Sequence, residues 1–481
     1  MEEPRLIKRH DSKLHLADSG SDRSRSVSPP PKVITKRAVD ERVANGETLV
    51  IYEGKVYNAT PFLKFHPGGE LVVKHMAGCD ATDEINGLHP RWVIDERLPR
   101  YFVGELVTEP PTDEEKVVLK EKERIRVAYK KLEHKIKAAG LFETNMWYYV
   151  AHAIQYATCW TSSVLLIVYG SQWWHYALSA LFMGSFWHQT AFTAHDAGHN
   201  GITHDRETDA RIGVFLGDFC GGLSIGWWKK SHYVHHIATN HPEHDPDIQQ
   251  LPFFALSKRF LNDVYSSYYN RTIVFDDVAK LLIPFQHLYY YIVLLFGRFL
   301  LYFLSWQFLF TEPNYKKRST EMILMASYFT WLGTVVYQIP GIRYKLMWIL
   351  ISHMSTVFLH IQINMSHFSM SFEDLGKDET FPAKMLRTTM DVECPWYLDW
   401  FHGGLQYQAI HHLFPRVPRH NLRKCIPYVK EFSAETGIKY VTHHFAQASE
   451  NARLSLKNVA DHVALMGRVA HAEAISGHIH M

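Results

Sequence analysis

The sequence is poor in cysteine and has almost no net charge. Its 481 residues include five cysteines without a C-x-x-C pair, which argues against a disulfide framework and favours a reducing compartment. The 51 basic and 49 acidic residues nearly cancel, so no charge surplus predicts a nucleic-acid partner. Histidine, in contrast, is abundant at 31 residues, and it is the commonest metal ligand in proteins.

The N-terminal end lacks the apolar core of a signal peptide. Residues 1–35 are polar and rich in serine and proline, which is typical of a disordered tail. Residues 113–137, inside a linker at 109–145, mix many Lys and Arg with spaced apolar residues and predict an amphipathic helix. A basic segment just before a membrane span favours the cytosolic side. We therefore expect the N-terminus in the cytosol.

Charge is missing from residues 144–195, which contain no Asp, Glu, Lys or Arg. A spanning helix needs about 20 apolar residues, so this segment can hold a transmembrane hairpin, and a second hairpin fits residues 322–364. Tryptophan and tyrosine near the hairpin ends are typical of membrane interfaces. The alternative is a set of buried helices in a large soluble protein. The predicted spanning helices are residues 147–168, 174–194, 322–341 and 346–364.

A third apolar segment, residues 281–311, lies between the hairpins and contains Pro284 and Arg298. From composition alone it could span the membrane, enter and return, or lie in the interface. The histidines described below decide between these possibilities.

Residues 36–108 carry the first chemical motif, His66-Pro-Gly-Gly, followed by Gly78-Cys-Asp-Ala-Thr and by His89. Two histidines 23 residues apart, with apolar residues between them, could bind a haem iron from both faces, and such a centre transfers electrons rather than activating oxygen. His75 is a rival second ligand, but it lies too near His66 on the same helical run. The segment resembles cytochrome b5, and the resemblance implies that His66 and His89 are the axial ligands of haem b.

Three further histidine clusters flank the hairpins. His195-Asp-Ala-Gly-His199 places two imidazoles four residues apart, on one face of a helix. The other clusters are His232-Tyr-Val-His-His and Gln408-Ala-Ile-His-His. Seven imidazoles are too many for one octahedral ion and suit two, and nitrogen ligands favour iron, copper or zinc. These seven are His195, His199, His232, His235, His236, His411 and His412.

The position of the clusters also constrains the membrane topology. The first two follow the first hairpin and the third follows the second hairpin. If residues 281–311 crossed the membrane once, the third cluster would face the opposite side. We therefore predict four spanning helices, both termini in the cytosol, and an interfacial or re-entrant element at 281–311.

Together with the N-terminal motif, these clusters resemble the front-end lipid desaturases, a family of membrane di-iron enzymes with a fused cytochrome b5 domain. Residues 223–230, 239–248 and 403–415 are most similar to the fungal Δ8 sphingolipid desaturases. Acyl Δ6 and Δ5 members tend to carry Asn and Glu where this chain has Gln406 and Ile410. The resemblance covers residues 40–445.

The resemblance implies a fold, a site and a reaction. The fold is a multidomain membrane protein, with a small α+β haem domain at 36–108, an all-α membrane domain with a cytosolic cap at 146–445, and a partly helical cytosolic tail at 446–481. The resemblance adds His367 as an eighth imidazole ligand, and it implies that Gln408 binds the metal or holds a water. Two iron ions would use O2 to remove two hydrogens from a lipid chain. Electrons would come from NADH through a separate cytochrome b5 reductase and the fused haem.

The resemblance also implies partners and a location, namely the lipid bilayer, a sphingolipid or ceramide substrate, and the endoplasmic reticulum membrane with the active site on the cytosolic side. From the sequence, Asp196, Glu243, Asp245 and Asp247 are candidates for orienting ligand imidazoles, with exposed acids at helix ends as an alternative of equal weight. Four histidines inside the hairpins are expected to pack within the bundle, and four near the clusters are candidate contacts to a polar headgroup. The former are His152, His188, His353 and His360, and the latter are His241, His244, His402 and His420.

Three functional hypotheses follow. The leading one is Δ8 desaturation of a sphingolipid long-chain base. A front-end acyl desaturase, or a hydroxylase, would use the same iron chemistry on another substrate or to another product. A membrane-bound electron carrier with vestigial clusters is the non-enzymatic alternative, and it predicts that replacing His232 or His411 leaves function intact.

Overall fold

The computed structural model describes residues 32–476, and residues 33–107 form a small α+β unit. Its elements are β1 (Val33–Thr35), α1 (Lys36–Ala44), β2 (Leu49–Tyr52), β3 (Lys55–Asn58), α2 (Glu70–Lys74), α3 (Thr82–Leu88) and β4 (Phe102–Val107). The four strands form one sheet in the order β1-β4-β3-β2, with β1 and β4 parallel and the other neighbours antiparallel. The sheet packs against α1 through Val39, Leu49 and Val56.

The tail predicted for residues 1–35 extends three residues too far, because the first strand begins at Val33. Residues 33–35 lie in β1, because their backbone pairs with residues 105–107 of β4. The rest of the predicted tail, residues 1–31, lies outside the described residues.

The predicted amphipathic helix forms as α4 (Asp113–Ala138). It begins at a capping box, in which the Thr112 hydroxyl accepts from the Glu115 backbone and the Glu115 carboxylate accepts from the Thr112 backbone. Its apolar stripe, which includes Tyr129 and Leu132, is buried against the C-terminal part of the chain. The helix therefore ties the α+β unit of residues 33–107, called the haem unit below, to the rest of the protein.

The charge-free segment forms the hairpin of α5 (Met146–Val168) and α6 (Trp173–Gly198). The predicted bounds match closely at three of the four ends, but α6 continues past residue 194 through the first histidine cluster. Trp147, Tyr169 and Trp173 are largely exposed at the helix ends, where aromatic side chains meet a membrane interface.

The region between the hairpins is helical with one small hairpin of strands. Its elements are α7 (Arg206–Val214), α8 (Ile225–Ala238), β5 (Val264–Ser266), β6 (Arg271–Ile273), α9 (Asp277–Leu282), α10 (Gln286–Leu295) and α11 (Gly297–Thr311). The predicted segment 281–311 is divided at Phe296, between α10 and α11. With its 15 residues, α11 is shorter than the roughly 20 that a span requires.

The second predicted hairpin contains three helices rather than two. These are α12 (Arg318–Tyr337), α13 (Gly341–Met354) and α14 (Val357–Phe368). The predicted helix 346–364 is interrupted at Ser355 and Thr356, whose hydroxyls donate to the carbonyls of Ser352 and His353. Such local hydrogen bonds compete with the helical pattern and bend a helix.

Length and hydropathy identify two helical stretches within residues 32–476 that could span a membrane, Asp277–Leu295 and Gly341–Phe368. The second contains the predicted span 346–364, and the first overlaps the segment predicted to be interfacial or re-entrant. The other three predicted spans form helices α5, α6 and α12, which are rich in aromatic or polar residues. The four-span arrangement therefore stays a prediction.

The C-terminal part and the region between the hairpins together form a cap, which lies at the hairpin ends next to the histidine clusters. The elements of the C-terminal part are α15 (Phe381–Thr388), β7 (Asp391–Glu393), α16 (Asp399–His402), α17 (Gln408–Leu413), α18 (Arg419–Thr436), β8 (Thr442–His444) and α19 (Phe445–Ser476). The described part of the segment predicted as a partly helical tail, residues 446–476, is helical, but its first half is part of the core. Ala448, Ala452 and Leu456 are fully buried, since their spacing of four places them on one helix face.

Candidate haem and metal sites

His66 and His89 face each other across the haem unit. His66 follows a short helix at Thr60–Phe65, and His89 follows α3. Their ring centroids are 6.0 Å apart. Metal–imidazole bonds are about 2 Å long, so an iron between the two rings would require a separation of about this size. Both sequence-predicted haem ligands are therefore brought together.

The ring nitrogens fit the same role. Nδ1 of His66 lies 3.1 Å from the Gly69 carbonyl, and Nδ1 of His89 lies 3.2 Å from the Ile85 carbonyl. A carbonyl accepts the Nδ1 proton, which leaves Nε2 of each ring free to bind a metal. Burial lowers the pKa of both imidazoles, that of His89 to about 4, so both rings are neutral at physiological pH.

The two glycines after His66 have distinct reasons to be there. A Cβ on Gly68 would lie 3.0 Å from the His66 ring, so only glycine lets the imidazole lie this close. Gly69 has φ +90, a conformation that glycine adopts at little cost. His75, the rival ligand, points away, since its Nε2 lies 3.0 Å from the Ser267 hydroxyl and its ring contacts His244.

The three histidine clusters converge with His367 at one place in the cap. One of these imidazoles lies in the last turn of α6 and one just after its end, while α8 supplies three, α14 one and α17 two. The candidate ligand atoms form two groups, and within each group all atoms lie within 4.8 Å of one another. Group one is His195, His199, His232 and His411, and group two is His235, His367 and His412.

His236, the eighth imidazole, lies between the two groups. Its Nε2 is 3.1 Å from Nε2 of His232 in group one. Its ring stacks on His412 of group two, with centroids 4.2 Å apart. All eight sequence-predicted imidazoles thus form one continuous cluster with room for two neighbouring ions.

The chemistry of the cluster fits metal binding. Six of its nitrogens are buried without a hydrogen-bond partner among the described residues: Nε2 of His195, His199, His411 and His412, and Nδ1 of His236 and His367. Burial, reinforced by the neighbouring imidazoles, holds the pKa of five of the rings well below the usual value: His199, His232, His236, His411 and His412. Neutral imidazoles with free lone pairs are what a transition metal binds.

His235 is the exception, because it is oriented by a carboxylate. Its Nδ1 lies 2.8 Å from Oδ2 of the fully buried Asp245. Burial opposes a charge on His235, but the carboxylates of Asp245 and Asp247 outweigh it and raise the pKa to about 9. A carboxylate on Nδ1 fixes the ring and directs Nε2 towards a metal. The predicted orienting role fits Asp245.

Two other candidate orienting acids have different partners. Asp196 Oδ1 is 3.7 Å from His195 Nδ1, too far for a hydrogen bond, whereas Asp196 Oδ2 accepts from Arg419 and Tyr149. Glu243 pairs with Arg259 at 2.7 Å. These two predictions were wrong, because neighbouring cations and hydroxyls compete for the carboxylates.

Gln408 lies at the start of α17, one turn before His411 and His412, and its side chain is buried beside the His367 imidazole. It is therefore placed where it could bind group two or hold a water there. The four histidines inside the hairpins are all buried, as expected. Those suggested as headgroup contacts have partners within the protein: His241 with Asp374, His244 with Ser267, His402 with Gln362, and His420 with the Asn145 backbone.

Sequence reasoning missed two side chains beside the cluster. Trp228 stacks on His232, with ring centroids 4.3 Å apart, and the Thr239 hydroxyl lies 3.2 Å from Nδ1 of His412. Trp228 precedes His232 by four residues and Thr239 follows His235 by four. This spacing of four residues places both side chains on the same helix face as the histidines, and it could have identified them from the sequence.

Comparison with known proteins supports the two-part organisation. The family model described as fatty acid desaturase matches residues 171–444, and that of the cytochrome b5-like heme/steroid binding domain matches residues 35–107. A Delta 8-(E)-sphingolipid desaturase of Emericella nidulans is 38% identical, covering 90% of this chain and 95% of that protein. One from Kluyveromyces lactis is 36% identical, covering 89% and 93%.

A more distant relative, an acyl-lipid (9-3)-desaturase of Borago officinalis, is 31% identical, covering 89% of this chain and 94% of that protein. The similarity extends over the haem unit, the membrane helices and the cap. The protein therefore belongs to the fatty acid desaturase family and carries a fused cytochrome b5-like domain.

Proposed function

We propose that the protein introduces a trans double bond at the Δ8 position of sphingolipid long-chain bases. The observation that carries the chemistry is the convergence of eight imidazoles into two adjacent groups. The substrate class rests on the relatives, because three proteins that are 36–38% identical over 89–92% of this chain are named Delta 8-(E)-sphingolipid desaturases.

The proposed metal ligands are His195, His199, His232, His235, His236, His367, His411 and His412, with Gln408 as a ligand or a holder of water. Two iron ions would supply oxidising power from O2, which an unactivated methylene requires. The chain contributes a largely buried set of imidazole ligands, five of which are held neutral by burial and one of which, His235, is oriented by Asp245. The overall reaction joins O2, two substrate hydrogens, two electrons and two protons, and gives an alkene and two waters.

The haem unit would supply the two electrons one at a time. His66 and His89 hold haem b between them in this proposal, and a separate NADH-dependent cytochrome b5 reductase reduces it. A haem held by both imidazoles would transfer electrons rather than activate oxygen.

Gln406 and Ile410, the two residues that distinguish this sequence from the acyl Δ6 and Δ5 desaturases, do not face the histidine cluster. Ile410 is fully buried in the apolar core that includes Tyr129 and Leu413. The Gln406 amide donates to Asp399 at 3.0 Å. These residues therefore affect packing around α17, and the substrate proposal relies on the relatives alone.

The proposed topology has four spans, near residues 147–168, 174–194, 322–341 and 346–364, with both termini and the cluster on the cytosolic side of the endoplasmic reticulum membrane. The close contact of His195 with His411, whose ring centroids are 4.6 Å apart, supports it. Clusters before and after residues 281–311 meet, so this segment crosses an even number of times. Its division at Phe296 favours a re-entrant or interfacial element. The proposed domain limits are 36–108 for the haem domain and 146–445 for the desaturase domain.

The test is expression in a host that makes saturated long-chain bases, followed by mass spectrometry of its long-chain bases and fatty acids. We expect a new Δ8 trans double bond in the bases. New double bonds confined to fatty acids would instead support an acyl desaturase, the activity that the name of the Borago relative suggests. Hydroxylated bases without new double bonds would indicate a hydroxylase.

The matched controls are His232→Ala and His411→Ala, which remove one ligand each from group one. We expect both variants to keep the haem absorbance and to lose the product. A product level equal to that of the unmodified protein would contradict a metal role for the cluster and favour the electron-carrier hypothesis.

A further inference from the structure

The haem unit is packed onto the helix that carries the second histidine cluster. Leu71, Val72 and Met76, in and just after α2, and Leu88 beside the haem ligand His89, share one apolar cluster with α8. The α8 side of this cluster consists of Tyr233, Val234 and Ile237. Val72 and Val234 are both buried, so the two units are in direct apolar contact.

The haem unit and the metal cluster occupy opposite faces of α8. Successive residues in a helix are rotated by about 100°, which places His232, His235 and His236 on one side. Tyr233, Val234 and Ile237 then lie on the other side. The two redox sites are therefore separated by little more than one helix, about 10–12 Å across with its side chains.

Tyr233 is the side chain of the outer face that reaches around to the metal side. Its hydroxyl donates a hydrogen bond to the Gly198 carbonyl at the end of α6. Its ring meets the ring of His199, a member of group one, edge to face at 5.9 Å. Tyr233 also belongs to the apolar cluster that contains Leu88, the residue before His89, which places Tyr233 near the haem end as well.

We propose that the haem unit delivers electrons from this docked position and that Tyr233 is the bridging side chain between the haem and group one. With haem and iron bound, each transfer would oxidise one ferrous haem to ferric haem and add one electron to the metal site, and two transfers would accompany each product. The reductase restores the ferrous haem. This inference rests on the proposed function, since it assumes that both sites bind their metals.

The bridging role of Tyr233 is tested by stopped-flow absorbance on the purified, full-length protein with haem and iron. The haem is reduced without oxygen, mixed with oxygen and a saturated ceramide, and followed at its Soret band. In Tyr233→Leu we expect haem oxidation to slow by roughly tenfold or more, since small changes in geometry between reacting groups have large effects on rate. Tyr233→Phe keeps the ring and should stay within about twofold.

The matched control is Tyr268→Leu, which removes an aromatic ring from the same apolar cluster. We expect its haem oxidation rate to be unchanged. Iron content and hydrogen exchange of α8 should also be unchanged in Tyr233→Leu, so that a lost electron route is distinguished from a disturbed helix. Equal haem oxidation rates in Tyr233→Leu and the unmodified protein would overturn the bridging role.

The docked position is tested from the haem side with Leu71→Glu, which places a charge in the contact. We expect an unchanged haem spectrum, faster hydrogen exchange in α8 and slower haem oxidation. Unchanged exchange and oxidation rates would contradict delivery from this position. A chemical mediator that reduces the metal cluster directly bypasses the haem. It therefore tests the proposed desaturase function independently of the electron route through Tyr233. Product from the unmodified protein under these conditions supports the desaturase activity whatever Tyr233 does, and its absence counts against the proposed function itself.

Discussion

Arg419 and Asp196 form a buried ion pair next to the histidine cluster. Nη1 of Arg419 lies 2.9 Å from Oδ2 of Asp196, and their side chains are 2% and 8% exposed. Tyr149 donates to the same carboxylate oxygen, and Tyr148 and Tyr156 accept from the guanidinium. The pair joins α6, which carries two imidazoles of group one, to α5 and α18.

Replacing Arg419 with Met should destabilise the protein strongly, because Asp196 would be left as an uncompensated buried charge. Loss of one partner of a buried pair costs about 3–5 kcal/mol. We expect a lower unfolding temperature and a reduced iron content, because Asp196 lies on α6 between two proposed ligands. Thermal unfolding in detergent and iron analysis measure the two effects.

The control for Arg419→Met is Arg211→Met, which breaks an ion pair with Glu207 in which both side chains are about 80% exposed. Exposed pairs contribute little, so no measurable change is expected. The double variant Arg419→Met/Asp196→Asn should recover part of the lost stability. Equal losses of stability in Arg419→Met and Arg211→Met would contradict a special role of the buried pair.

Replacing Asp245 with Asn should weaken metal binding without unfolding the cap. An amide oxygen can still accept the Nδ1 proton of His235, but the negative charge that favours this orientation is lost. Residues that orient metal ligands contribute about 10- to 100-fold to metal affinity. Iron retained during dialysis against a graded chelator measures the change.

Asp247→Asn is the matched control for Asp245, because Oδ2 of Asp247 is 3.8 Å from His235 Nδ1 and makes no hydrogen bond to it. We expect a smaller loss of affinity than in Asp245→Asn. An equal or larger loss would show that charge alone, and not the hydrogen bond, sets the affinity.

Removing either proposed haem ligand should uncouple the two redox sites. In His66→Ala and His89→Ala, we expect the haem absorbance to fall to a small fraction of its normal value while iron in the histidine cluster is retained. Desaturation that depends on NADH should be lost. The control His75→Ala should keep its haem, because His75 points away from the other two rings. Loss of haem in His75→Ala alone would reverse the assignment.

The contact between the haem unit and the cap should weaken at acid pH. Burial, followed by the positive charge that protonated His244 and His241 would carry, lowers the pKa of His75 to about 3, whereas an exposed histidine has a pKa of about 6.5. The neutral ring is therefore favoured in the docked state. Its contribution is complete above about pH 6.5 and is lost progressively as the pH falls towards 3.

Hydrogen exchange of α2 and α8 at about pH 7.5 and about pH 5.5, corrected for intrinsic exchange rates, measures this effect. His75 alone should account for roughly 1 kcal/mol between these conditions. His241 and His244 lie near His75 and gain positive charge as the pH falls, Lys384 contributes further positive charge there, and Asp374 opposes them. In His75→Gln the pH dependence should be smaller. An unchanged dependence in this variant would exclude His75 as its source.

The sequence determined the local parts of both sites. Spacings of three and four residues placed His195 with His199, and His232 with His235 and His236, because the helical repeat is a property of a few consecutive residues. The two glycines after His66 permit the local backbone that presents this ring. The long charge-free segment predicted the α5–α6 hairpin.

Only the tertiary structure decided how these parts combine. The partners of Asp196 and Glu243 and the packing of α19 into the core depend on residues that are distant in the sequence. The same holds for the division of eight imidazoles into two groups and for the docking of the haem unit on α8. A one-dimensional pattern shows which side chains share a helix face, but the packing of helices against one another selects what that face contacts.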